Sequence, residues 1–179
     1  MALTRLASIG GTLRRVAVIG AGAAGAMAAI FSASAGAETL LLERTRDGGR
    51  KILISGGGRC NILPARLDES RFITDSSVNT LRKILRSWRL EDQVTFFTQE
   101  AGLPLVEEVA SGKLFPASDR ARDVRDGLLA LAQQRRARFL SGCRVTGIEP
   151  AGGRWQVERA GEPPLVADAP TAGAPKEPM

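Results

Sequence analysis

Three glycines and one carboxylate near the start of the chain have the spacing needed to bind a phosphate and a ribose. Gly20, Gly22 and Gly25 form the pattern Gly-x-Gly-x-x-Gly directly after the apolar residues 16–19. The first glycine of such a pattern permits a tight turn, the second lets a pyrophosphate approach the backbone, and the third lets a helix pack closely on a strand. Free N–H groups and the macrodipole at the start of that helix favour an anion. We therefore expect a pyrophosphate at this turn.

A carboxylate at the end of a second apolar run supplies the ribose part of the same motif. Glu43 follows Thr39 and three leucines at 40–42, and it stands 18 residues after Gly25, close to the roughly 20 residues expected for a ribose-binding acid. Hydrogen bonds from ribose hydroxyls to a carboxylate contribute about 1.5–3 kcal/mol each, and the same charge repels a 2′-phosphate. The two motifs together favour FAD or NAD over NADP. A strand, turn and helix of small residues without a ligand is the alternative interpretation.

The hydrophobic pattern predicts that these residues lie in an α/β fold. Residues 16–19 and 39–42 have the composition of buried strands, and the small residues 23–35 predict a helix that packs tightly on them. Residues 119–136 predict another helix, which leads into a third parallel strand at 138–141. Two further strands, at 143–149 and 154–159, predict a hairpin around a Pro-Ala-Gly-Gly turn.

The middle of the chain predicts a helical insertion into this fold. Residues 44–64 are polar and glycine-rich, which is typical of a functional loop. A helix capped by Asp75 or Ser76 has apolar residues on one face through Trp88, and a second helix is predicted at 90–101. The predicted division is an N-terminal extension at 1–14, a Rossmann-like nucleotide-binding domain at 15–162 and an irregular tail, rich in proline and alanine, at 163–179.

Composition narrows the possible functions. The 179 residues, 44% of them hydrophobic, suffice for one well-buried domain. The chain has no histidine, no tyrosine and two distant cysteines, so we predict no Ser-His-Asp or Cys-His catalysis, no disulfide scaffold and no metal site. No apolar run is as long as a membrane span, and we expect a cytoplasmic protein without a membrane partner. A weak organellar transit peptide at the acid-free N-terminus is the alternative.

A net charge of +6 raises the question of a nucleic-acid partner. Arginines alternate with acids, as in residues 120–126, and only residues 135–138 are densely basic. Aromatic residues make up 4% of the chain, which gives no stacking platform for single strands. A solvated helix face is the favoured interpretation, and no nucleic-acid partner is predicted.

The second glycine loop carries a more specific signal. Residues 49–61, Gly-Arg-Lys-Ile-Leu-Ile-Ser-Gly-Gly-Gly-Arg-Cys-Asn, closely resemble a segment of the aminoacetone-oxidase-type FAD-binding flavoproteins, a bacterial family among the NAD(P)/FAD-dependent oxidoreductases. The resemblance runs from about Val16 to Glu162 and includes residues 112–116 and 121–124. It implies a Rossmann-like FAD-binding parallel sheet with a crossover hairpin and a helical insertion, and FAD extended across the carboxyl edge of the sheet.

Residue-by-residue comparison with this family implies a set of cofactor contacts. Consecutive glycine N–H groups form an anion-binding concavity, and a nearby arginine or lysine offsets pyrophosphate charge. The family's pyrophosphate turn matches Gly20, Ala21, Gly22, Ala23, Ala24 and Gly25, and its ribose position matches Glu43 and Arg44. Its flavin loop matches Lys51, Ser55, Gly56, Gly57, Gly58, Arg59, Cys60 and Asn61. Its adenine-holding strand matches Val145.

Two of these residues have a competing interpretation. Cys60, beside an arginine and glycine N–H groups, has surroundings that can activate a thiol. Because no base is evident, a small buried residue near the cofactor is the favoured reading. Plain strand packing is the equal alternative for Val145.

The sequence departs from the family in two places. After Asn61 the family continues with valine, threonine and asparagine, whereas residues 62–64 here are Ile-Leu-Pro. Family members are also about twice as long or longer, and Pro170 is poorly placed for the central strand expected near the end. We therefore expect a chain truncated at its C-terminus, whose parallel sheet lacks a strand.

The sequence as a whole predicts an FAD-dependent oxidoreductase in which the flavin carries the redox chemistry. Its expected partner is a small-molecule substrate, with NADH or NADPH as a candidate. The catalytic residues and the oligomeric state are left open. The alternatives are a catalytically inactive nucleotide-binding fragment and an NAD-dependent dehydrogenase domain, although the latter gives no reason for the loop at 56–61.

Overall fold

The computed structural model of the protein describes residues 14–172. These residues form two compact units, one made of the residues up to 52 together with those from 128 onward, and the other of residues 53–127. The boundary falls inside the segment 15–162 that the sequence predicts as one domain. The predicted N-terminal extension, apart from Arg14, lies outside the described residues.

The helices and strands of the described residues follow the order expected of an α/β protein with an insertion. In chain order they are β1 (Arg15–Ile19), α1 (Ala23–Ser34), β2 (Glu38–Glu43), α2 (Arg50–Ile54), β3 (Leu63–Pro64), α3 (Val78–Ser87), α4 (Leu90–Thr95), β4 (Leu105–Glu108), β5 (Lys113–Pro116), α5 (Ala121–Gln134), β6 (Arg138–Ser141), β7 (Val145–Ala151), β8 (Arg154–Arg159), β9 (Glu162–Ala167) and β10 (Ala169–Ala172).

The first unit is built on a parallel sheet with the strand order β10-β1-β2-β6. Val16 of β1 lies between Thr39 of β2 and Ala169 of β10. An antiparallel sheet, ordered β7-β8-β9, forms the second layer of this unit. The predicted parallel strands and the predicted hairpin are therefore confirmed.

The two sheets of the first unit share a hydrophobic core. Side chains alternate between the faces of a strand, so Ala17, Leu40 and Leu42 share one face of the parallel sheet. They cluster with buried residues that precede or belong to the antiparallel sheet, namely Cys143, Val157 and Ala167. Helix α1 lies against β1 and β2, and the alternate residues Val18 and Leu41 are also buried.

The end of the chain corrects the prediction of an irregular tail from residue 163. Residues up to 172 form β9 and β10, and β10 pairs with β1 as the fourth strand of the parallel sheet. The expectation of a sheet lacking this strand is therefore wrong. Pro163, Pro164 and Pro170 all lie on edge strands, where an N–H is not needed on the outer side and proline is tolerated. Residues 173–179 of the predicted tail lie outside the described residues.

The second unit contains the insertion. Its strands form an antiparallel sheet ordered β3-β5-β4. Helix α3 is capped by Ser77, whose hydroxyl accepts the Thr80 N–H at 3.2 Å, rather than by Asp75 or Ser76, because Ser77 stands three residues before an available N–H. Helix α4 continues into one wider turn at Phe96–Glu100. No helix within residues 14–172 is long and apolar enough to cross a membrane.

Candidate functional site

The glycine turn between β1 and α1 has the geometry that its sequence predicts. Gly20 has a φ of 94° and donates its N–H to the carbonyl of Leu42 at 2.8 Å. A left-handed φ favours glycine, and this bond ties the turn to β2. A Cβ on Gly25 would lie 1.8 Å from the carbonyl oxygen of Gly20. Gly25 is therefore required because the first turn of α1 passes directly against the backbone of Gly20.

Within residues 14–172, no side chain caps the N-terminus of α1. Gly22 is the N-cap residue and makes no side-chain cap hydrogen bond, and the first turn has no acidic residue. The first N–H groups of a helix have no partner within the helix. A Cβ on Gly22 would have no atom within 4 Å, and Ala23 and Ala24 are exposed. This open, donor-rich surface fits the pyrophosphate of a dinucleotide.

Glu43, the last residue of β2, is bonded directly to the glycine turn. Its Oε2 accepts the Ala21 N–H at 2.8 Å. Its Oε1 accepts both the N–H of Thr45 at 2.8 Å and the Thr45 hydroxyl at 2.7 Å. The structure thus brings Gly20, Ala21 and Glu43 together, as the sequence predicts, and adds Thr45.

The surroundings of Glu43 keep its carboxylate charged. Burial alone would raise the pKa of Glu43, but the N–H and hydroxyl of Thr45, the N–H of Ala21 and the charge of Arg44 together hold this pKa below its ordinary value. An ionised, half-buried carboxylate beside a glycine turn can accept hydrogen bonds from ribose hydroxyls.

A loop after β2 closes over the turn, and sequence reasoning missed its role. The Gly49 N–H donates to the carbonyl of Ala21 at 2.8 Å, and the Gly48 N–H donates to the Thr45 hydroxyl oxygen at 3.2 Å. A Cβ on Gly48 would lie 3.0 Å from the Cβ of Ala21. The pair Gly48-Gly49, a few residues after the acid, was the available signal for this close approach.

The second glycine loop lies in the second unit and has a left-handed backbone. Gly56, Gly57 and Gly58 have φ values of 54°, 68° and 89°, and Cys60 has a φ of 64°. The Cys60 N–H donates to the carbonyl of Ser55 at 3.0 Å, which closes the loop. A Cβ on Gly56 would lie 3.1 Å from a ring carbon of Phe115. The consecutive glycines are needed for this backbone path.

Arg59 is held within its own unit. Its Nη1 donates to Oε1 of Glu108 at 2.8 Å, and its guanidinium carbon lies 4.2 Å from the centre of the Phe115 ring. Its Nε lies 3.4 Å from the carbonyl oxygen of Gly56, and Asp119 lies 3.8 Å from Nη1. Arg59 therefore joins the glycine loop to β4 and β5, and a direct contact to pyrophosphate stays a prediction.

The remaining residues predicted to contact the cofactor differ in the exposure of their side chains. Arg44, Lys51 and Asn61 are exposed, whereas Cys60 is buried, which favours its interpretation as a small packed residue. Val145 packs against the core of the first unit, so strand packing accounts for its side chain. Among residues 14–172, no group of histidine, cysteine, aspartate and glutamate side chains could hold a metal ion.

Comparison with known proteins finds sequence similarity to curated enzymes. A 3-dehydro-bile acid delta(4,6)-reductase of Clostridium scindens is 30% identical over 139 residues, which are 76% of this chain and 33% of the reductase. A ribosomal RNA dihydrouridine synthase of Escherichia coli is 39% identical over 59 residues, 33% of this chain and 15% of the synthase. The chain thus spans a third or less of the length of these curated relatives.

Solved structures show the same fold at low identity. A mutant of the halogenase PltM, crystallised in complex with FAD, matches with a TM-score of 0.52 and 16% identity, over 91% of this chain and 34% of the halogenase.

The sequence model of one protein family, the HI0933-like protein Rossmann domain, matches residues 14–168, which include the glycine turn, Glu43 and the second glycine loop. The chain therefore belongs to the HI0933-like Rossmann domain family.

Proposed function

We propose that this chain is the FAD-binding part of an FAD-dependent oxidoreductase, whose second glycine loop resembles that of the aminoacetone-oxidase-type flavoproteins. The observation that carries the proposal is the direct bond between the glycine turn and an ionised Glu43, the Ala21 N–H to Oε2 distance being 2.8 Å. This bond supports the proposal, because an adenine dinucleotide requires an acceptor for its ribose beside the turn that binds its pyrophosphate.

The pyrophosphate contacts in this proposal are backbone groups. The N–H groups of Gly22, Ala23 and Ala24 stand at the uncapped start of α1, where the helix dipole favours negative charge. Gly22 leaves room for the phosphate oxygens. Because the cradle consists of backbone, it discriminates by shape and leaves the ribose to Glu43.

The choice of FAD over NAD rests on the second glycine loop and on the relatives. Residues 55–61 resemble the segment that runs along the flavin in the aminoacetone-oxidase-type family, and an NAD domain has no need of such a loop. We assign Lys51 and this loop to the flavin end, with Arg59 holding the loop in shape. Bound FAD would supply hydride transfer.

Nucleotide titration tests the binding proposal. FAD is titrated into cofactor-free protein by calorimetry, beside NAD and NADP, and we expect FAD to bind most tightly. The Glu43→Gln variant should lose roughly 10- to 100-fold in FAD affinity, because a hydrogen bond to a charged group is lost or weakened. Glu149→Gln, on an exposed strand position, is the control. Undiminished FAD affinity in Glu43→Gln would remove the ribose assignment.

For the reaction we propose the reduction of a carbon–carbon double bond conjugated to a carbonyl group. The names of both curated relatives, a delta(4,6)-reductase and a dihydrouridine synthase, describe the addition of hydrogen to such a bond. NADH or NADPH would deliver a hydride to FAD, which would pass it to the substrate, and a proton completes the addition.

Anaerobic kinetics separate this reaction from its alternatives. FAD-loaded protein is mixed with NADH or NADPH, and the loss of flavin absorbance is followed. Cyclohex-2-enone or uridine is then added without oxygen. In a separate aerobic assay, aminoacetone is added to the oxidised, FAD-loaded protein without NADH or NADPH. Reoxidation by the conjugated carbonyl compounds supports the reductase proposal, whereas turnover of aminoacetone with oxygen would replace it with amine oxidation.

A non-catalytic nucleotide-binding module is the second candidate. Every residue assigned above is assigned to binding, and none of them to catalysis. An FAD that binds but is neither reduced by nicotinamide nucleotides nor reoxidised by these substrates would support that candidate.

A further inference from the structure

The hydrogen bonds around Glu43 leave few acceptor positions for a nucleotide. A carboxylate has about four lone-pair positions on its two oxygens. Oε1 uses two of them, for the N–H and the hydroxyl of Thr45, and Oε2 uses one, for the N–H of Ala21. One position is left, and it lies on Oε2, the oxygen next to the glycine turn.

The Thr45 hydroxyl is itself fixed as a donor to Glu43. Its oxygen accepts the Gly48 N–H at 3.2 Å, so its proton is directed to Oε1 of Glu43 at 2.7 Å. On the other side, Ala21 donates its N–H to Oε2 and accepts the N–H of Gly49 at 2.8 Å. A closed set of hydrogen bonds thus joins the turn, the acid and the loop, and it resists rotation of the carboxylate.

We propose that Thr45 is a positioning residue which saturates one oxygen of Glu43, so that this chain recognises the adenosine ribose through a single hydroxyl. A carboxylate with both oxygens free could accept both neighbouring ribose hydroxyls. In this chain only Oε2 has an acceptor position left for the ribose. The carboxylate therefore selects the ribose hydroxyl that lies nearer the glycine turn. The inference rests on the proposed function, because it concerns the ribose of the nucleotide at that site.

Deoxy analogues of ADP, the half of FAD that carries this ribose, test the proposal. ADP, 2′-deoxy-ADP and 3′-deoxy-ADP are titrated into the wild-type chain beside FAD. We expect one deoxy analogue to lose about tenfold in affinity and the other to change less than about twofold. Equal losses for the two analogues would show two-hydroxyl recognition and overturn the proposal.

Variants of Thr45 show whether this residue causes the selectivity. Thr45→Val keeps the backbone N–H but removes the hydroxyl, so we expect weaker ADP binding and deoxy analogues that differ less than about twofold from one another. Thr45→Ser should restore the wild-type pattern. Thr146→Val, at an exposed strand position of the same unit, is the matched control. A Thr45→Val variant with wild-type selectivity would contradict the positioning role.

The pKa of Glu43 tests the hydrogen-bond network without any nucleotide. In carboxyl-carbon NMR titrations, the pKa of Glu43 should stay low in wild type and Thr45→Ser and rise in Thr45→Val, while Arg44, the charged neighbour, contributes equally to all three. An unchanged pKa in Thr45→Val would overturn the hydrogen-bond network. If the wild-type chain binds neither FAD nor ADP, the proposed function is wrong, and so is the proposed ribose selection. If it binds both but loses similar affinity for the two deoxy analogues, only the present inference is wrong.

Discussion

At the scale of single residues, two glycines of the same motif have separable roles. Gly25→Ala should destabilise the protein by at least about 3 kcal/mol, because the new Cβ would meet the backbone carbonyl of Gly20 at 1.8 Å. Gly22→Ala should cost less than about 1 kcal/mol, because Gly22 has an extended backbone and open space around it. Urea denaturation of the two variants measures the difference.

The same pair separates folding from ligand binding. Gly22→Ala should fold like wild type yet bind FAD more weakly, because its methyl group enters the space reserved for the pyrophosphate. Equal FAD affinity in Gly22→Ala and wild type would argue against a pyrophosphate at this turn, even if Gly25→Ala behaves as expected.

Glu43 should make stability depend on pH in a defined direction. Its pKa in the folded protein lies below the ordinary 4.5, so the folded state binds this proton less readily than the unfolded state. The stabilisation is complete above about pH 5 and is lost as the pH falls through the folded-state pKa. The difference in unfolding free energy between wild type and Glu43→Gln should therefore shrink as the pH falls below about 5. A difference that stays constant as the pH falls would be inconsistent with an ionised, hydrogen-bonded Glu43.

At this scale the sequence could predict the acid and the glycines but not the hydrogen bonds that hold them. Gly20, Gly25 and Glu43 follow from spacing, because each has a fixed role in a strand–turn–helix unit. Thr45 could not be predicted, because its role depends on the path of the loop after β2. That Arg59 or Lys51 offsets pyrophosphate charge stays a prediction, and the contacts of Arg59 to Glu108 and Phe115 could not be predicted from the sequence.

At the scale of elements, Arg59 should hold the second glycine loop in its left-handed path. Arg59→Ala should speed hydrogen exchange at the Cys60 N–H, which closes the loop onto Ser55. Arg59→Lys should not restore protection, because an ammonium group cannot reproduce the planar contact with Phe115 and the directed bond to Glu108. Arg122→Ala, at an exposed position of the same unit, serves as the control. Unchanged exchange in Arg59→Ala would show that the glycines hold the path without it.

Strand β10, the fourth strand of the parallel sheet, depends on the hydrogen bonds of Asp168, the residue between β9 and β10. Asp168 accepts the Arg15 N–H at 2.6 Å and the Arg154 Nε at 2.9 Å, and it donates its own N–H to the carbonyl of Arg15. Asp168→Ala should lower the melting temperature, and Asp168→Asn should lower it less, because the amide oxygen can still accept the backbone N–H. Equal melting temperatures for wild type and Asp168→Ala would show that β10 is held by its ladder alone.

Elements with a strong apolar pattern could be predicted, whereas those without one could not. Strands β1 and β2 contain runs of three or more apolar residues, β6 contains the apolar pair Phe139-Leu140, and the hairpin β7–β8 has a glycine turn. Strands β9 and β10 carry prolines, which argue against a strand until it is known that both lie at sheet edges. Edge position is a property of the assembled sheet, so it is absent from local sequence.

At the scale of the whole molecule, the chain forms two compact units with distinct roles in the proposed function. The first unit carries the glycine turn and Glu43, and the second carries the loop assigned to the flavin. The α/β class and membership of a Rossmann-domain family could be predicted, because their motifs are local in sequence. The aminoacetone-oxidase type stays a proposal. The division into units depends on contacts across the chain and could not.

The most direct test of FAD binding is the absorption spectrum of the freshly purified protein, with mass spectrometry of any molecule released on denaturation. We expect flavin absorption bands and released FAD from the wild-type protein, and weaker bands with less released FAD from Gly22→Ala. A colourless wild-type protein that also takes up no added FAD would contradict the proposal that the chain binds FAD.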